Sequence, residues 1–154
     1  MEPGELFVDR FRIERLAGAG GMGAVYRAID ELTGAPVALK LLFADRLPDL
    51  ERFHREAALL RGLDHPSIVR YVAHGTSARA PYLAMEWVDG KTLAETLDRG
   101  PLGVGVSLRV LLGVASALAS AHRRGVVHRD VKPHNIMFDG GLAPEVKVLD
   151  FGIA

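Results

Sequence analysis

The sequence predicts an α+β fold with an antiparallel sheet in its N-terminal part, and three observations support this. Short β-branched and aromatic segments separated by glycine-containing turns occupy most of residues 7–88, with one helical pattern among them. Residues 92–125 carry helix caps and apolar residues at helical spacing. Two more short strands lie near the C-terminus. At 154 residues the chain is long enough to bury a hydrophobic core.

Five strands are predicted in the N-terminal part, and we expect them to form one antiparallel sheet. They cover residues 7–17, 25–29, 36–42, 68–75 and 82–88. A helix from Asp49 to about Arg61 is predicted between the third and fourth strands. It places Phe53, Ala57 and Leu60 on one face, and Asp49 is expected to be its N-cap residue.

Two helices are predicted after this sheet. Thr92 and Glu95 have the spacing of a capping box and begin a short helix. Ser107 is expected to cap a long apolar helix that ends before Gly125. Because this helix is apolar on nearly all sides, we expect it to be buried, and its apolar segment, residues 108–121, is shorter than a bilayer span.

Charge and cysteine content exclude several classes of protein. Nineteen basic and nineteen acidic side chains balance, so no overall charge favours a nucleic acid or an anionic membrane as partner. The absence of cysteine excludes disulfides and thiolate metal sites and suits a reducing cytoplasm. No signal peptide is expected after Met1, so we expect a cytoplasmic protein without a membrane segment.

Residues 128–135, HRDVKPHN, concentrate the polar groups that phosphoryl transfer requires. Asp130 could accept a proton from an attacking hydroxyl group, Lys132 could neutralise charge on the transferred phosphate, and Asn135 could hold a metal ion. Pro133 disfavours helix at the preceding residue, so an ordered loop is expected. The alternative is a surface turn whose charges are merely solvated.

A predicted hairpin follows this loop and brings two metal-ligand candidates together. Its strands cover residues 136–138 and 146–149, with a turn that begins at residues 139–141. In an antiparallel hairpin the residue before the first strand lies opposite the residue after the second. Asn135 and Asp150 should therefore meet, and their oxygens are the kind of ligand that Mg²⁺ takes beside substrate phosphates.

A glycine-rich segment, residues 18–23, separates the first two strands. Glycines allow backbone N–H groups to approach phosphate oxygens closely, but G-x-G-x-x-G alone is a weak signal. A dinucleotide-binding fold would need a helix after the glycines, whereas a strand is predicted from Val25. A glycine-rich hairpin without a ligand remains the alternative.

Lys40 and Glu56 are charged residues next to apolar ones. Lys40 lies in a strand that is otherwise apolar on both faces, so its burial requires an anionic partner. The alternative is a lysine at a sheet edge whose amine reaches water. Glu56 borders the apolar face of its helix and should face the sheet, although it could instead pair with Arg52 on the surface.

Four segments together resemble eukaryotic-type protein kinases. HRDVKPHN matches the catalytic-loop pattern H-R-D-x-x-x-x-N, residues 150–152 match D-F-G, and residues 18–25 and 37–40 match the glycine loop and V-A-I-K. Lys132 resembles the serine/threonine branch, and the tail LDFGIA resembles bacterial members. The resemblance implies a bilobal fold, with a complete N-lobe in residues 1–88 and a partial C-lobe in residues 89–154.

The resemblance also implies an activity and assigns residues to it. The family transfers the γ-phosphoryl group of ATP, with Mg²⁺ or Mn²⁺, to serine or threonine hydroxyls of proteins. Asp130 would be the catalytic base, Lys132 would offset charge, and Asn135 and Asp150 would hold the metal. The nucleotide phosphates would lie under the glycine loop and beside Lys40, which Glu56 would pair with. The loop residues are Gly18, Ala19, Gly20, Gly21, Met22 and Gly23.

Further positions match the family's adenine pocket and its stacked spine. Met85 resembles the gatekeeper residue. The other adenine-pocket positions are Val25, Ala38, Glu86, Val88 and Met137, and the spine positions are Leu60, Tyr71, His128 and Phe151. The alternative is that these are ordinary core residues.

The chain ends four residues after Asp150, where family members continue with an activation segment and supporting helices. We therefore expect it to be a fragment that transfers phosphate poorly by itself. Arg129 would have no activation-loop phosphate to bind. A non-catalytic nucleotide-binding module is the main alternative, and a dinucleotide-dependent oxidoreductase is disfavoured by the strand at Val25 and by the catalytic loop.

Overall fold

A computed structural model describes residues 1–21, 23–43, 50–139 and 145–151, and the chain forms two compact units. Of the described residues, those in 1–61 and 71–87 belong to the first unit, whereas those in 62–70 and 88–151 belong to the second. Residues 62–70 therefore group with the second unit, although they lie inside the predicted segment 1–88. The division into two kinase lobes at residue 88 stays a prediction.

The first unit contains a six-stranded antiparallel sheet with the order β1-β2-β3-β4-β6-β5. All five predicted strands are present, and a two-residue strand, β1, adds a sixth at the edge. The strands are β1 Leu6–Phe7, β2 Phe11–Gly20, β3 Gly23–Asp30, β4 Ala35–Leu42, β5 Tyr71–Thr76 and β6 Pro81–Glu86.

Strand β1 exists because the chain reverses direction at Val8 and Asp9. Both residues have positive φ, 48° and 53°, and the Arg10 N–H donates to the Phe7 carbonyl at 3.1 Å. Tight hairpin turns need such angles, which valine rarely adopts. The sequence therefore does not signal this turn, and the prediction missed it.

The register of the sheet separates its two faces. Residues paired directly across antiparallel strands point to the same face, and here Val25 pairs with Lys40 and Ala38 pairs with Met85. These four residues therefore share one face. The opposite face carries the buried core residues Phe7, Phe11, Ile13, Ala28, Val37, Leu39 and Ala84.

Helix α1, Leu50–Leu60, packs beside β5 in the first unit and buries Phe53, Ala57 and Leu60, as the spacing predicted. His54 on α1 is hydrogen-bonded to Thr76 on β5, with 3.2 Å between Nε2 and Oγ1. The predicted N-cap residue, Asp49, lies outside the described residues.

The second unit contains a three-stranded antiparallel sheet, two α-helices and one 3₁₀ turn. The predicted capping box of α2 is confirmed, because Glu95 N–H donates to Thr92 Oγ1 at 3.1 Å and Thr92 N–H donates to Glu95 Oε2 at 2.7 Å. Residues 140–144, which include most of the predicted hairpin turn, lie outside the described residues. The elements are β7 Gly90–Thr92, α2 Leu93–Leu97, α3 Val104–His122, the 3₁₀ turn Pro133–Asn135, β8 Ile136–Asp139 and β9 Val146–Val148.

The prediction that Ser107 caps α3 is wrong. The helix begins at Val104 with Gly103 as N-cap, and the Ser107 hydroxyl donates to the Gly103 carbonyl at 3.2 Å. A serine inside a helix commonly bonds the carbonyl four residues back, so the residue type alone did not locate the helix start. The predicted end is confirmed, because Gly125 has a φ of 73° and follows the last turn.

The prediction that α3 is buried on nearly all sides is also wrong for the residues that the structure describes. One face buries Val110, Ala117, Ser120 and Ala121, whereas apolar residues on another face are 55–78% exposed: Val104, Leu108, Leu111 and Leu112. The 19-residue helix is long and apolar enough to cross a membrane, with a mean hydropathy of 1.8. Core helices of soluble proteins meet the same criterion, so this is weak evidence for a membrane span.

Candidate active site

His128 anchors the loop of residues 128–135 to the end of the hairpin. It is buried, and its Nε2 lies 2.7 Å from the carbonyl oxygen of Leu149. A carbonyl oxygen can only accept, so Nε2 carries the proton. The other ring nitrogen, Nδ1, accepts from the Asp130 N–H at 3.2 Å. Both contacts require the neutral tautomer with the proton on Nε2, and they set the position of the Asp130 backbone.

The Asp130 carboxylate is exposed and is held by two neighbouring side chains. Lys132 Nζ lies 2.6 Å from Oδ2, and the Asn135 amide nitrogen donates to the same oxygen at 3.1 Å. The hydrogen bond from Lys132, supported by the one from Asn135, keeps the pKa of Asp130 below its ordinary value. The carboxylate is therefore ionised and accessible near neutral pH, as a proton acceptor must be.

Asn135 presents an oxygen from a fixed side chain. Its amide nitrogen donates to the carboxylate of Asp130 and also to the Asp130 carbonyl at 2.8 Å, which fixes which end of the amide is nitrogen. Within the described residues, the amide oxygen accepts no hydrogen bond. Asn135 is buried and closes the 3₁₀ turn that starts at Pro133. Its free oxygen has the chemistry of a magnesium ligand.

The hairpin brings the backbones of Asn135 and Leu149 together, directly beside Asp150. Ile136 pairs with Val148, and the Leu149 N–H donates to the Asn135 carbonyl at 2.8 Å. The predicted hairpin is therefore present, but its register differs by one residue from the expected one, since Asn135 lies opposite Leu149 and not opposite Asp150. Joint binding of a metal by the two side chains stays a prediction.

Two non-glycine residues next to these groups adopt positive φ: Arg129 at 65° and Asp150 at 53°. Such angles cost about 1–2 kcal/mol for a residue with a Cβ atom. Strained backbone of this kind concentrates at functional sites, where it fixes side-chain direction. Arg129 and Asp150 adjoin Asp130 and the hairpin end, which supports a functional role for this part of the second unit.

Phe151 packs against His128, with ring centroids 4.6 Å apart and both residues buried. The structure thus brings together two of the four predicted spine residues. The other two, Leu60 and Tyr71, lie in the first unit.

The glycine-rich segment needs glycine for packing at only one described position. At Gly23 a Cβ atom would lie 1.9 Å from the Leu41 carbonyl oxygen, and φ is 153°. At Gly18, Gly20 and Gly21 a Cβ would meet nothing within 4 Å, and none of them has positive φ. Their lack of side chains is therefore unexplained by the fold and is consistent with a ligand approaching the backbone. Met22 and Gly152 lie outside the described residues.

Lys40 is half-buried on β4, between Val25 of β3 and Leu83 of β6. Glu56 Oε1 accepts from Arg52 Nε at 3.1 Å, so the alternative surface pairing is present. A pairing of Glu56 with Lys40 stays a prediction. In the described ranges no group of three or more His, Cys, Asp or Glu could hold a metal ion. A metal at Asn135 and Asp150 would need further ligands from substrate or water.

Comparison with known proteins gives one family. Residues 11–154 match the model described as "Protein kinase domain". The whole chain is 41% identical to serine/threonine-protein kinase pkn2 of Myxococcus xanthus, and 98% of it is 42% identical to PrkC of Bacillus subtilis. It spans only 19% and 24% of the lengths of those two proteins.

Solved structures agree with this match. The PknI kinase domain of Mycobacterium tuberculosis superimposes with a TM-score of 0.90 at 34% identity, over all of this chain and 64% of that domain. Rad53 in complex with AMP-PNP gives a TM-score of 0.85 at 29% identity, over 94% of this chain and 39% of that one. The predicted kinase-like α+β fold is thereby confirmed, and the chain belongs to the protein kinase family, in which the two relatives named above are bacterial serine/threonine kinases.

Proposed function

We propose that this chain is the catalytic region of a serine/threonine protein kinase and contributes to transfer of the γ-phosphoryl group of ATP to protein hydroxyls. The observation that carries this proposal is Asp130, an exposed and ionised carboxylate oriented by Lys132 and Asn135. Phosphoryl transfer is catalysed mainly by positioning and electrostatics, and these three residues supply both.

Asp130 accepts the proton of the substrate hydroxyl as the oxygen forms its bond to the γ-phosphorus and the bond to the β-phosphate oxygen breaks. Lys132, already 2.6 Å from Asp130, offsets negative charge on the transferred group. Mg²⁺, or Mn²⁺ in its place, would neutralise charge on the phosphate oxygens. Asn135 would hold it through the free amide oxygen, and Asp150 through its carboxylate.

Residues of the first unit are assigned to the nucleotide. Val25, Ala38 and Lys40 are half-buried and share the sheet face opposite the core cluster with the buried Met85. We assign Lys40 to the phosphates, Glu56 to Lys40, and the glycine segment to the phosphate oxygens. The remaining assigned adenine contacts are the hinge residue Glu86 and, in the second unit, Val88 and Met137. A kinase-fold relative binds the ATP analogue AMP-PNP, which supports this assignment.

The first test is nucleotide binding by variants of both units. We expect Lys40→Met and Asp150→Asn each to weaken binding of Mg·ATP about tenfold, because each removes a charged contact to the triphosphate or its metal, worth about 1.5–3 kcal/mol. Isothermal titration calorimetry measures the affinity. Lys91→Met, which removes an exposed lysine on β7, is the matched control and should bind like the wild type. Unchanged affinity in both test variants would contradict the assigned site.

The glycine segment provides a second test that separates ligand contact from folding. We expect Gly20→Ala to leave the unfolding free energy nearly unchanged but to weaken ATP binding severalfold, because its Cβ has open space in the protein yet would obstruct a phosphate. Gly23→Ala should instead lower the unfolding free energy by about 2 kcal/mol, since its Cβ overlaps the Leu41 backbone. Chemical denaturation and calorimetry on both variants measure the two effects. Equal behaviour of the two variants would refute this distinction.

Three finer assignments also remain proposals. Use of magnesium follows from the oxygen chemistry of Asn135 and Asp150. A cytoplasmic location and a role in signalling follow from the kinase family and from the absence of cysteine in the sequence.

A further inference from the structure

A cluster of aromatic and histidine side chains joins α1 to β5 in the first unit. His54 on α1 lies 5.4 Å from His74 on β5 between ring centroids, and Phe53 packs edge-on against both rings. Tyr71 lies 5.7 Å from His74, and its hydroxyl is 2.7 Å from His74 Nδ1. The rings thus form a continuous contact between the helix and an edge strand of the sheet.

Each histidine also makes one hydrogen bond that fixes the cluster. His54 Nε2 lies 3.2 Å from Thr76 Oγ1, which ties the helix to the strand. His74 Nδ1 pairs with the hydroxyl of Tyr71. The neutral ring of His74 can accept at Nδ1 from this hydroxyl, whereas a protonated ring could only donate. Protonation therefore changes the contacts as well as the charge.

The charged neighbours of His74 would not offset an added proton. Burial first, and then the positive charges of His54 and Arg61, lower the pKa of His74 below its ordinary value. Across the sheet, His74 pairs with the apolar Leu83 on β6. On α1, the charged residues within three positions of His54 are Glu51, Arg52, Arg55 and Glu56, and Glu56 is bonded to Arg52.

We propose that His54, His74 and Tyr71 form a proton-sensitive latch that holds α1 against β5 and releases the helix when His74 is protonated. The charged His74 ring would then lie 5.4 Å from the His54 ring and near the positive charge of Arg61. The Tyr71 hydroxyl could then no longer donate a hydrogen bond to His74 Nδ1.

The sign of the pH dependence follows from the lowered pKa of His74. At pH values below about 6.5, the ordinary histidine pKa, a chain with α1 detached binds more protons than the packed state. Acidification therefore favours detachment, and the effect is complete once the pH falls below the pKa of His74 in the packed state. Raising the pH above about 7 restores the latch.

Release of α1 has a consequence that rests on the proposed function. Glu56 lies two residues after His54 on the same helix and is the residue assigned to position Lys40. Movement of α1 would carry Glu56 away from Lys40, so nucleotide affinity should fall over the same pH range in which the helix is released.

The latch is tested by hydrogen exchange of the α1 amides at pH 7.5 and 5.5, corrected for intrinsic exchange rates. We expect protection of these amides to fall about tenfold at the lower pH in the wild type. His54→Gln/His74→Gln cannot be charged and should show no such fall, whereas His122→Gln, at the end of α3 in the second unit, should behave as the wild type. Persistence of the fall in the double variant would overturn the proposal.

Two further measurements keep the test decisive. If the double variant does not fold, NMR titration of the wild type replaces it. The C2 proton of His74 and the α1 amides should then change with the same midpoint, and separate midpoints would refute the latch. ATP affinity, measured over the same pH range, tests the link to function. Release of α1 without loss of affinity would show that Glu56 lacks its assigned role while leaving the latch intact.

Discussion

Substitution of Asp130 by asparagine is expected to lower the rate of phosphoryl transfer about 1,000-fold, while ATP affinity changes by less than about twofold. The asparagine keeps the shape of the side chain but cannot accept the proton of the attacking hydroxyl. Asp130 is assigned to the hydroxyl and not to the nucleotide, so binding should survive. Transfer is measured with labelled ATP, Mg²⁺ and an acceptor protein. The enzyme is a protein preparation that contains this chain and has measurable kinase activity.

The control is Asp64→Asn, which removes an exposed carboxylate elsewhere in the second unit and should retain full activity. Because the pKa of Asp130 is lowered, the wild-type rate should not fall with Asp130 protonation until the pH drops below about 4. A variant that keeps more than about a tenth of the wild-type rate would remove Asp130 from the role of base. Parallel loss of affinity and rate would instead indicate misfolding.

The arrangement of the catalytic loop could be predicted because its constraints are local. Pro133 excludes helix before it, and strand alternation indicates the following hairpin. The register of the hairpin was predicted one residue off, because the second strand ends at Val148 and Asn135 therefore lies opposite Leu149. The contact that anchors the loop was not predictable in this way. His128 donates to the backbone carbonyl of Leu149, and a backbone acceptor leaves no signal in the residue types.

The predictions that failed depend on packing over longer distances. Strand β1 requires Val8 in a backbone conformation that valine disfavours. The turn is therefore determined by the tertiary contacts of Phe7 and Phe11, and not by the local preference of its residues. Burial of α3 was predicted from its composition. Composition cannot show that Leu111 and Leu112 lie on an exposed face, because this depends on which elements pack around the helix.

Replacement of Arg10 by methionine is expected to destabilise the first unit by about 3 kcal/mol. Arg10 makes a two-bond contact with Asp30, with Nε to Oδ1 and Nη2 to Oδ2 both at 2.8 Å, and Asp30 is only 1% exposed. Removing the guanidinium leaves a buried carboxylate that keeps hydrogen bonds from the Leu32 backbone N–H, at 3.2 Å, and from the Thr33 side chain, but has lost its cationic partner. Denaturant unfolding followed by Trp87 fluorescence measures the effect, because the single tryptophan lies in this unit.

The same ion pair predicts a definite pH dependence. The hydrogen bonds from Arg10 lower the pKa of Asp30 below its unfolded value of 3.8. A lowered carboxyl pKa stabilises the folded state above pH 4, and this contribution is lost as the pH falls through the folded-state pKa. The stability difference between the wild type and Arg10→Met should therefore shrink in acid. A difference that stays constant from pH 7 to pH 3 would show that lost packing, and not charge, is responsible.

Arg12→Met is the matched control, because Arg12 lies only two residues after Arg10, near the start of β2. Its pair with Glu31, at 2.6 Å between Nε and Oε1, is 40–49% exposed, so its loss should cost less than about 1 kcal/mol. Arg10→Met/Asp30→Asn should recover part of the stability lost in Arg10→Met, since no buried charge then remains unpaired. Equal destabilisation by Arg10→Met and Arg12→Met would contradict the expectation that the ion pair with the buried Asp30 stabilises the protein more than the exposed pair with Glu31 does.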